Sequence, residues 1–348
     1  MFGLSLTSAG RKLVTAGLCL ATLAFVGLAG CDGQNSGGGT GGGTSQNGTA
    51  TYEIAVIPKG TAHPYWKAVH GGAAKAGKEL GAEIIWNGPP SERARSQQIE
   101  IMRNFTSRQV DAIVLAPLDR EALVRPVTTA VNRGIPVVII DSGLETDVYS
   151  SFVATDNRKG GSMGGEKLGE LMGGEGRAIM MRYNPGSAST ANREEGFLEA
   201  IREKYPDIEM VSTDQFAGVT RETALKTGQN LLTKFPDIEG IFCPNESSTF
   251  GMMRALKKAG MPKEEIKFVG FDATSDLVDG LKDGWVDALV AQDPFNMGYT
   301  GVSTAIKAIK GEKVEKSIPT RSVMVTRDNL DDEDIQKIID PPIQKWLD

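Results

Sequence analysis

The chain has 348 residues, 38 Lys and Arg against 44 Asp and Glu, and a formal net charge of −6. An acidic balance gives no electrostatic reason to seek nucleic acid or an anionic lipid surface. The length favours two domains over one.

Arg11 and Lys12 precede an apolar run over 13–30 that closes in small residues just before Cys31. A charged start, an apolar middle and a small-residue end are the parts of an export signal. Leu28-Ala29-Gly30-Cys31 resembles a bacterial lipobox, which implies cleavage ahead of Cys31 and a lipid on its thiol. The competing reading is an uncleaved anchor, for which about 18 apolar residues is the lower limit. Residues 31–51 are rich in Gly, Ser, Thr, Asn and Gln and read as a tether, about 25 Å end to end as a flexible coil. Loss of 1–30 removes two cations and takes the net charge from −6 to −8, so lipid rather than a basic patch would hold the chain at a membrane. With Cys19 in the signal and Cys31 lipidated, only Cys243 stays in the folded part, which leaves no intramolecular disulfide. The expected place is the cell envelope, on the periplasmic side or the outer face of the cytoplasmic membrane.

From Tyr52 onward, short apolar runs alternate with amphipathic stretches of helical length. The runs at 53–58, 83–86, 112–117, 136–141, 151–155, 178–182, 208–213, 240–244, 267–272 and 288–292 read as strands. Helices are expected over 64–80, 92–108, 120–133, 159–172, 190–204, 220–234, 247–259 and 294–310. This alternation argues for parallel sheets covered on both faces. Gly81, Gly134 and Gly260 stand where left-handed caps belong, and Pro136 and Pro262 stop continuation. Ten strands exceed one small sheet, so the expected fold class is α/β, two doubly wound parallel-sheet lobes.

Open sheets of this kind bind ligands beyond the carboxyl ends of their strands. The candidates there are Lys59, His63, Asp141, Ser142, Arg193, Asn245, Asp272 and Gln292. A single strand-end Asp is more often a helix cap, but this many hydrogen-bonding residues from two lobes point to a binding cleft. Enzyme chemistry finds little support. The first strand leads into PKGTAHPYW with no G-x-G-x-x-G. GGSMGGEKLG at 160–169 imitates a phosphate loop but carries Glu166 where the Lys belongs, and reads as a Gly-rich helix packed closely on a strand. His63 and His70 are seven apart with no third ligand nearby, so no metal site is expected. Cys243 lacks a partnered His and reads as buried and inert. No cofactor is expected.

IAVIPKGTAHPYW at 54–66, GIPVVIIDS at 134–142, TDN at 155–157, NREEGF at 192–197, NLLTKFPDIEGIFCPNE at 230–246, VGFDAT at 269–274 and ALVAQDP at 288–294 follow in a specific order and spacing. With them the chain resembles the periplasmic sugar-binding proteins of the ribose-binding type (periplasmic binding protein type I), which serve ABC importers. The same fold carries the effector domains of lactose-repressor-type regulators, but here a signal and lipobox stand in place of DNA-binding helices. The resemblance implies a monomer that binds a monosaccharide or polyol and docks on an ABC permease in the inner membrane. It implies three hinge crossings, near 155–156, 292–293 and 321–322. The first lobe would be 52–155 plus 293–321, and the second 156–292 plus 322–348.

The resemblance also implies site roles. His63-Pro64-Tyr65-Trp66 stands where the family has an asparagine, a proline and two aromatics, and Lys59 replaces a strand-end serine. Arg193, Asn245, Asp272 and Gln292 match family ligand residues, as does Asp141. Ser142 departs from an arginine, and Ala116 from a ligand-contacting asparagine. An aromatic expected near 216–219 aligns poorly. Carboxylates accept from paired hydroxyls, and Arg193 donates a fork. Tyr65 and Trp66 would stack on C–H faces. If Lys59 and His63 both line the cleft with Arg193, the cargo is instead an anionic polyol such as a sugar acid; the opposing reading pairs Lys59 with Asp141. A further alternative is a sensor that docks on a chemoreceptor or a kinase's outer domain. The tail DDEDIQKIIDPPIQKWLD reads as a short helix broken at Pro341-Pro342, with no function assigned.

Overall fold

The structure is a computed structural model that describes residues 51–262 and 264–347. The signal at 1–30, Cys31 and the tether up to residue 50 lie outside the described residues.

The first lobe begins with β1 (Tyr52–Ile57), α1 (Pro64–Leu80), β2 (Ala82–Trp86), α2 (Arg95–Arg108), β3 (Ala112–Leu115), α3 (Val124–Asn132), β4 (Val137–Ile140) and β5 (Ser151–Thr155). The second lobe follows with α4 (Asn157–Met172), β6 (Glu175–Met180), α5 (Ala188–Lys204), β7 (Asp207–Ser212), α6 (Arg221–Lys234) and β8 (Gly240–Phe242). It continues with α7 (Glu246–Ala259), β9 (Lys267–Phe271), α8 (Ser275–Lys282) and β10 (Ala288–Gln292). The chain returns to the first lobe through α9 (Pro294–Ile309) and β11 (Ser317–Thr320). It crosses again into β12 (Ser322–Thr326) and α10 (Glu333–Ile339), and finishes in α11 (Gln344–Leu347).

Each lobe is built on a six-stranded sheet, in the order β2-β1-β3-β4-β5-β11 in the first and β7-β6-β8-β9-β10-β12 in the second. Every pairing is parallel except that of β12 with β10. The two orders match strand for strand, so the fourth strand of one lobe, β4, has its counterpart in β9.

Alternation along β1 shows how each sheet is covered. Ile54 and Val56 pack into one core with Val69, Met297 and Val302 of α1 and α9, and Ala55 and Ile57 into another with Met102 and Phe105 of α2. A fully buried Ile or Phe contributes about 1.5–3 kcal/mol, and the second lobe repeats the arrangement with two cores of its own.

Helices meet closely where glycine permits. A Cβ on Gly298 would lie 2.0 Å from Val69 O, so α9 seats directly on α1. In α4, a Cβ on Gly161 would lie 1.9 Å from Arg193 O of α5, and one on Gly164 2.5 Å from the Phe242 ring of β8. The phosphate-loop look-alike is therefore a helix packed on a strand on one side and on a second helix on the other.

Two elements depart from the sequence expectation. β11 carries Pro319, is largely exposed and lies at the sheet edge, where a strand needs little apolar content and tolerates proline. α8 is only eight residues long and follows the strand-end Asp272 at once, too short for its period to show. The tail also divides: Leu330, Ile335 and Ile338 join a second-lobe core, whereas α11 packs against α1 of the first lobe.

Candidate functional site

Pro58 and Lys59 follow β1, and the chain turns into α1 through His63, whose Nδ1 accepts from Tyr65 N–H at 3.2 Å as the helix cap. Pro64 follows at the first helical position, where its missing N–H costs nothing. That turn places Lys59, His63, Tyr65 and Trp66 along the wall of one cavity. Asp141 and Asp272 occupy the same place in the two lobes, one residue past β4 and β9, and both are left-handed, with φ of 63° and 71°. Asp and Asn are the non-glycine residues that best tolerate this region.

Nine of the ten residues singled out from the sequence line one interlobe cavity: Lys59, His63, Tyr65, Trp66, Asp141, Arg193, Asn245, Asp272 and Gln292. Ser142 does not. It is buried outside the cavity, and its Oγ accepts from Ser189 N–H of the second lobe at 3.1 Å, so it joins the lobes. The cavity is about 30 Å³, far below the roughly 300–1,000 Å³ of small-molecule pockets. The lobes are closed, and the polar side chains fill the space between them.

Those side chains engage one another. Lys59 Nζ lies 2.7 Å from Asp141 Oδ2 and donates to Ser189 Oγ at 3.2 Å. The other Asp141 oxygen accepts from Tyr65 O–H at 3.1 Å. Asp272 accepts from Glu246 N–H at 2.9 Å and from Gln292 Nε2 at 2.7 Å. Burial raises the Asp272 pKa, against the opposing pull of Arg193 and Gln292. Arg193 lies over the Phe271 ring at 3.9 Å, with Nε on Asn157 Oδ1 at 2.8 Å and Nη1 on Pro244 O at 3.0 Å. Its Nη2 and the Gln292 Oε1 are buried and have no partner among the described residues.

Three of the expected contact residues, His63, Asn245 and Trp66, hold places that differ from the expected ones. His63 has both nitrogens engaged, since Nε2 lies 2.6 Å from Glu246 Oε2 across the cleft. His70 faces elsewhere and stacks on Trp86 at 4.3 Å. Asn245 is the side-chain cap of α7, accepting from Ser248 N–H. Trp66 is only 2% exposed, and its Nε1 donates to Glu92 Oε1 at 2.9 Å, so it enters the cavity wall by an edge rather than as an open stacking face.

Sequence reasoning missed Glu92, Tyr183, Ser189, Thr190 and Asn157. The first four line the cavity. Glu92 comes from the loop after β2, and its other oxygen takes the Tyr183 hydroxyl of the second lobe. Burial, with Glu92 beside it, pushes the Tyr183 pKa well up, so it stays a neutral donor. Tyr183 is thus an aromatic of the second lobe at the cavity, whereas Phe216, in the 216–219 stretch, lies exposed against Arg182. Asn157 was visible only as the last residue of TDN, without its role of orienting Arg193.

Glu92 and His63 also wall an outer groove of about 370 Å³ between the lobes. The bonds Glu92–Tyr183 and His63–Glu246 therefore stand between that groove and the inner cavity.

Residues 54–313 match the family described as the periplasmic binding protein domain. The chain belongs to this family. It is 31% identical over 287 residues to the ribose import binding protein RbsB of Escherichia coli strain K12, covering 81% of this chain and 93% of that one. Among solved structures, a carbohydrate transporter solute-binding protein of Agrobacterium radiobacter, in complex with D-arabinose, superposes with a TM-score of 0.80 at 35% identity, over 84% of this chain and 99% of the other. An ABC transporter solute-binding protein of Agrobacterium vitis, with bound D-fucose, gives 0.79 at 37% identity, over 82% and 99%.

Proposed function

We propose that this binding protein is the sugar-binding component of an ABC importer, and that its cargo is a neutral sugar or polyol gripped between the lobes. The observation that carries the neutral reading is the pair of unpartnered groups in one buried cavity, the Arg193 Nη2 donor and the Gln292 Oε1 acceptor. A group left empty in a dry site costs about 1–3 kcal/mol, and a hydroxyl can serve either as acceptor or as donor. The other cations are matched inside the protein, Lys59 by Asp141 and His63 by Glu246, and Asp272 opposes the charge of Arg193. The cargo named for the relatives, ribose, D-arabinose and D-fucose, is neutral as well.

In this reading Asp141 and Asp272 accept from hydroxyls, Arg193 and Lys59 donate, Tyr65 and Tyr183 supply apolar faces, and Trp66 closes the wall by its edge. Asn245 and Gln292 complete the set, His63 holds the closed state, and Ser142 locks lobe to lobe. The cargo enters when the His63–Glu246 and Glu92–Tyr183 bonds open. The role is binding without catalysis. The chain is exported, Cys31 carries the lipid, and the loaded monomer docks on the permease.

Calorimetry of the mature chain with D-ribose, D-arabinose, D-fucose, D-allose and xylitol, against D-galacturonate and D-gluconate, tests the cargo. Binding of a neutral member is expected. Binding of the acids alone overturns neutrality, and binding of none overturns the sugar reading. Cys31→Ser should move the protein from the membrane to the soluble fraction.

A further inference from the structure

We propose that the C-terminal tail is a strap that holds the two lobes closed. α10 is anchored in the second lobe, where Ile335 and Ile338 are each 6% exposed within the core. Five residues beyond Ile338, Ile343 lies on α1 of the first lobe: a Cβ on Gly71 would meet Ile343 Cα at 3.3 Å, so the bare helix surface there admits the tail's backbone. Trp346 follows, with Lys75 and Lys78 of α1 each 5.8 Å from its ring centroid. The same Lys75 lies 4.9 Å from the Tyr299 ring of α9, which ties the tail's seat to the helix pair at the base of the first lobe.

The link between the two anchors is short and stiff. Pro341 and Pro342 both fall in it, and proline fixes φ and narrows the residue before it. A rotation that parts Ile338 from the Ile343 seat must either stretch this link or pull Ile343 and Trp346 off α1. Beneath the tail lies a cavity of about 240 Å³ with Lys67 and Ala68 of α1 on one wall and Thr274 and Ser275 on the other. The tail thus roofs a space that belongs to both lobes, beside the hinge rather than at the mouth. In hinge closure a few residues absorb the rotation between the moving parts, and the tail has a fixed seat on each of those parts. The inference is independent of what the cleft binds.

Amide hydrogen exchange of the full chain, without any ligand, tests it. Two amides report closure directly, because their partners lie in the opposite lobe: Arg120 N–H on Gly186 O at 3.0 Å and Ser189 N–H on Ser142 Oγ at 3.1 Å. Two variants are compared with the wild type, Trp346→Ala, and a Gly-Ser-Gly-Ser insertion between Pro341 and Pro342 that slackens the link and leaves both seats intact. Both should raise exchange at Arg120 and Ser189 about threefold or more, the size of effect expected from one cation–π seat, with β3 and β9 unchanged. Unchanged exchange at the two amides overturns the strap. So does a rise spread through β3 and β9, which would make the tail a part of lobe stability. A rise with Trp346→Ala and none with the insertion overturns it too, since tension in the link would then play no part.

Discussion

His63 Nε2 and Glu246 Oε2 lie 2.6 Å apart, one residue from each lobe. Burial alone would lower the His63 pKa, but Glu246, with Glu92 and Asp272 farther off, raises it above the ordinary value. Burial would likewise raise the Glu246 pKa, yet His63 and Arg221 hold it down. An imidazole in the unfolded chain titrates near 6.5. With the folded pKa raised, the stability this pair contributes is complete below about pH 6.5 and is lost as pH rises through the folded value. The difference in thermal midpoint between wild type and His63→Gln should therefore shrink from about pH 6 to pH 8.5. A difference that stays constant would show that charge on His63 plays no part.

Lys59 and Asp141 are both about 5% exposed, so neither charge has water to fall back on. Removal of one partner from a buried pair costs about 3–5 kcal/mol, most of it from the charge left behind. Lys59→Met should lose that much stability and also lose neutral sugars, while Lys59→Met with Asp141→Asn should recover part of the stability. Denaturant unfolding of the two single variants and the double variant measures the coupling. Strict additivity would mean that the pair does not interact as the geometry says.

Arg193 is held by three different contacts, and Asn157 makes the only one that comes from α4. Arg193→Lys keeps the charge and loses the fork, so sugar affinity should fall by about tenfold or more. Asn157→Ala should give a smaller loss in the same titration. Wild-type affinity in Asn157→Ala would remove Asn157 from the site.

The close approach of α4 to α5 makes Gly161 a test of how packing reaches the cleft. Gly161→Ala drives a methyl group into Arg193 O, and overpacking of this kind costs about 1–3 kcal/mol. Because α5 carries Arg193, affinity should fall along with the thermal midpoint. Gly143→Ala, whose Cβ would find its nearest atom at 3.8 Å, should leave both unchanged.

Burial pushes the Cys243 thiol well above its usual pKa. Since the thiolate is the reactive form, Cys243 should ignore a thiol reagent in the native state and react on unfolding. Stoichiometric labelling of the folded chain would contradict the observed burial.

The alternation of fully buried strands with amphipathic helices was strong enough to announce both sheets, because a strand covered on two faces reads as an unbroken apolar run. β3 and β4 are of this kind, with every residue buried. Strand-end position then led to seven residues of one cavity, and the family resemblance added Tyr65 and Trp66. What escaped had no local mark. Glu92 lies in a loop of Pro, Ser and charge, and only the meeting of two lobes turns it inward. Tyr183 sits three residues past the end of β6, where an aromatic carries no pattern of its own. The misassigned residues, Ser142 and the far end of the tail, carry the same lesson. Side-chain chemistry was readable from the sequence, but the lobe each group faces is set by tertiary approach.

The left-handed backbone at Asp141 and Asp272 restricts how the cargo of such a protein can change over time. Asp, Asn and Gly are the residues that carry least strain there, so the favoured alphabet at the two central acceptors is short. Lys59, His63, Glu92 and Ser142 are outside the left-handed region, so only their partners, and not the backbone, restrict them. A lineage that adopts a new sugar would be expected to keep both carboxylates and rewrite the residues around them, so that selectivity drifts at the rim of the site while its two poles stay fixed.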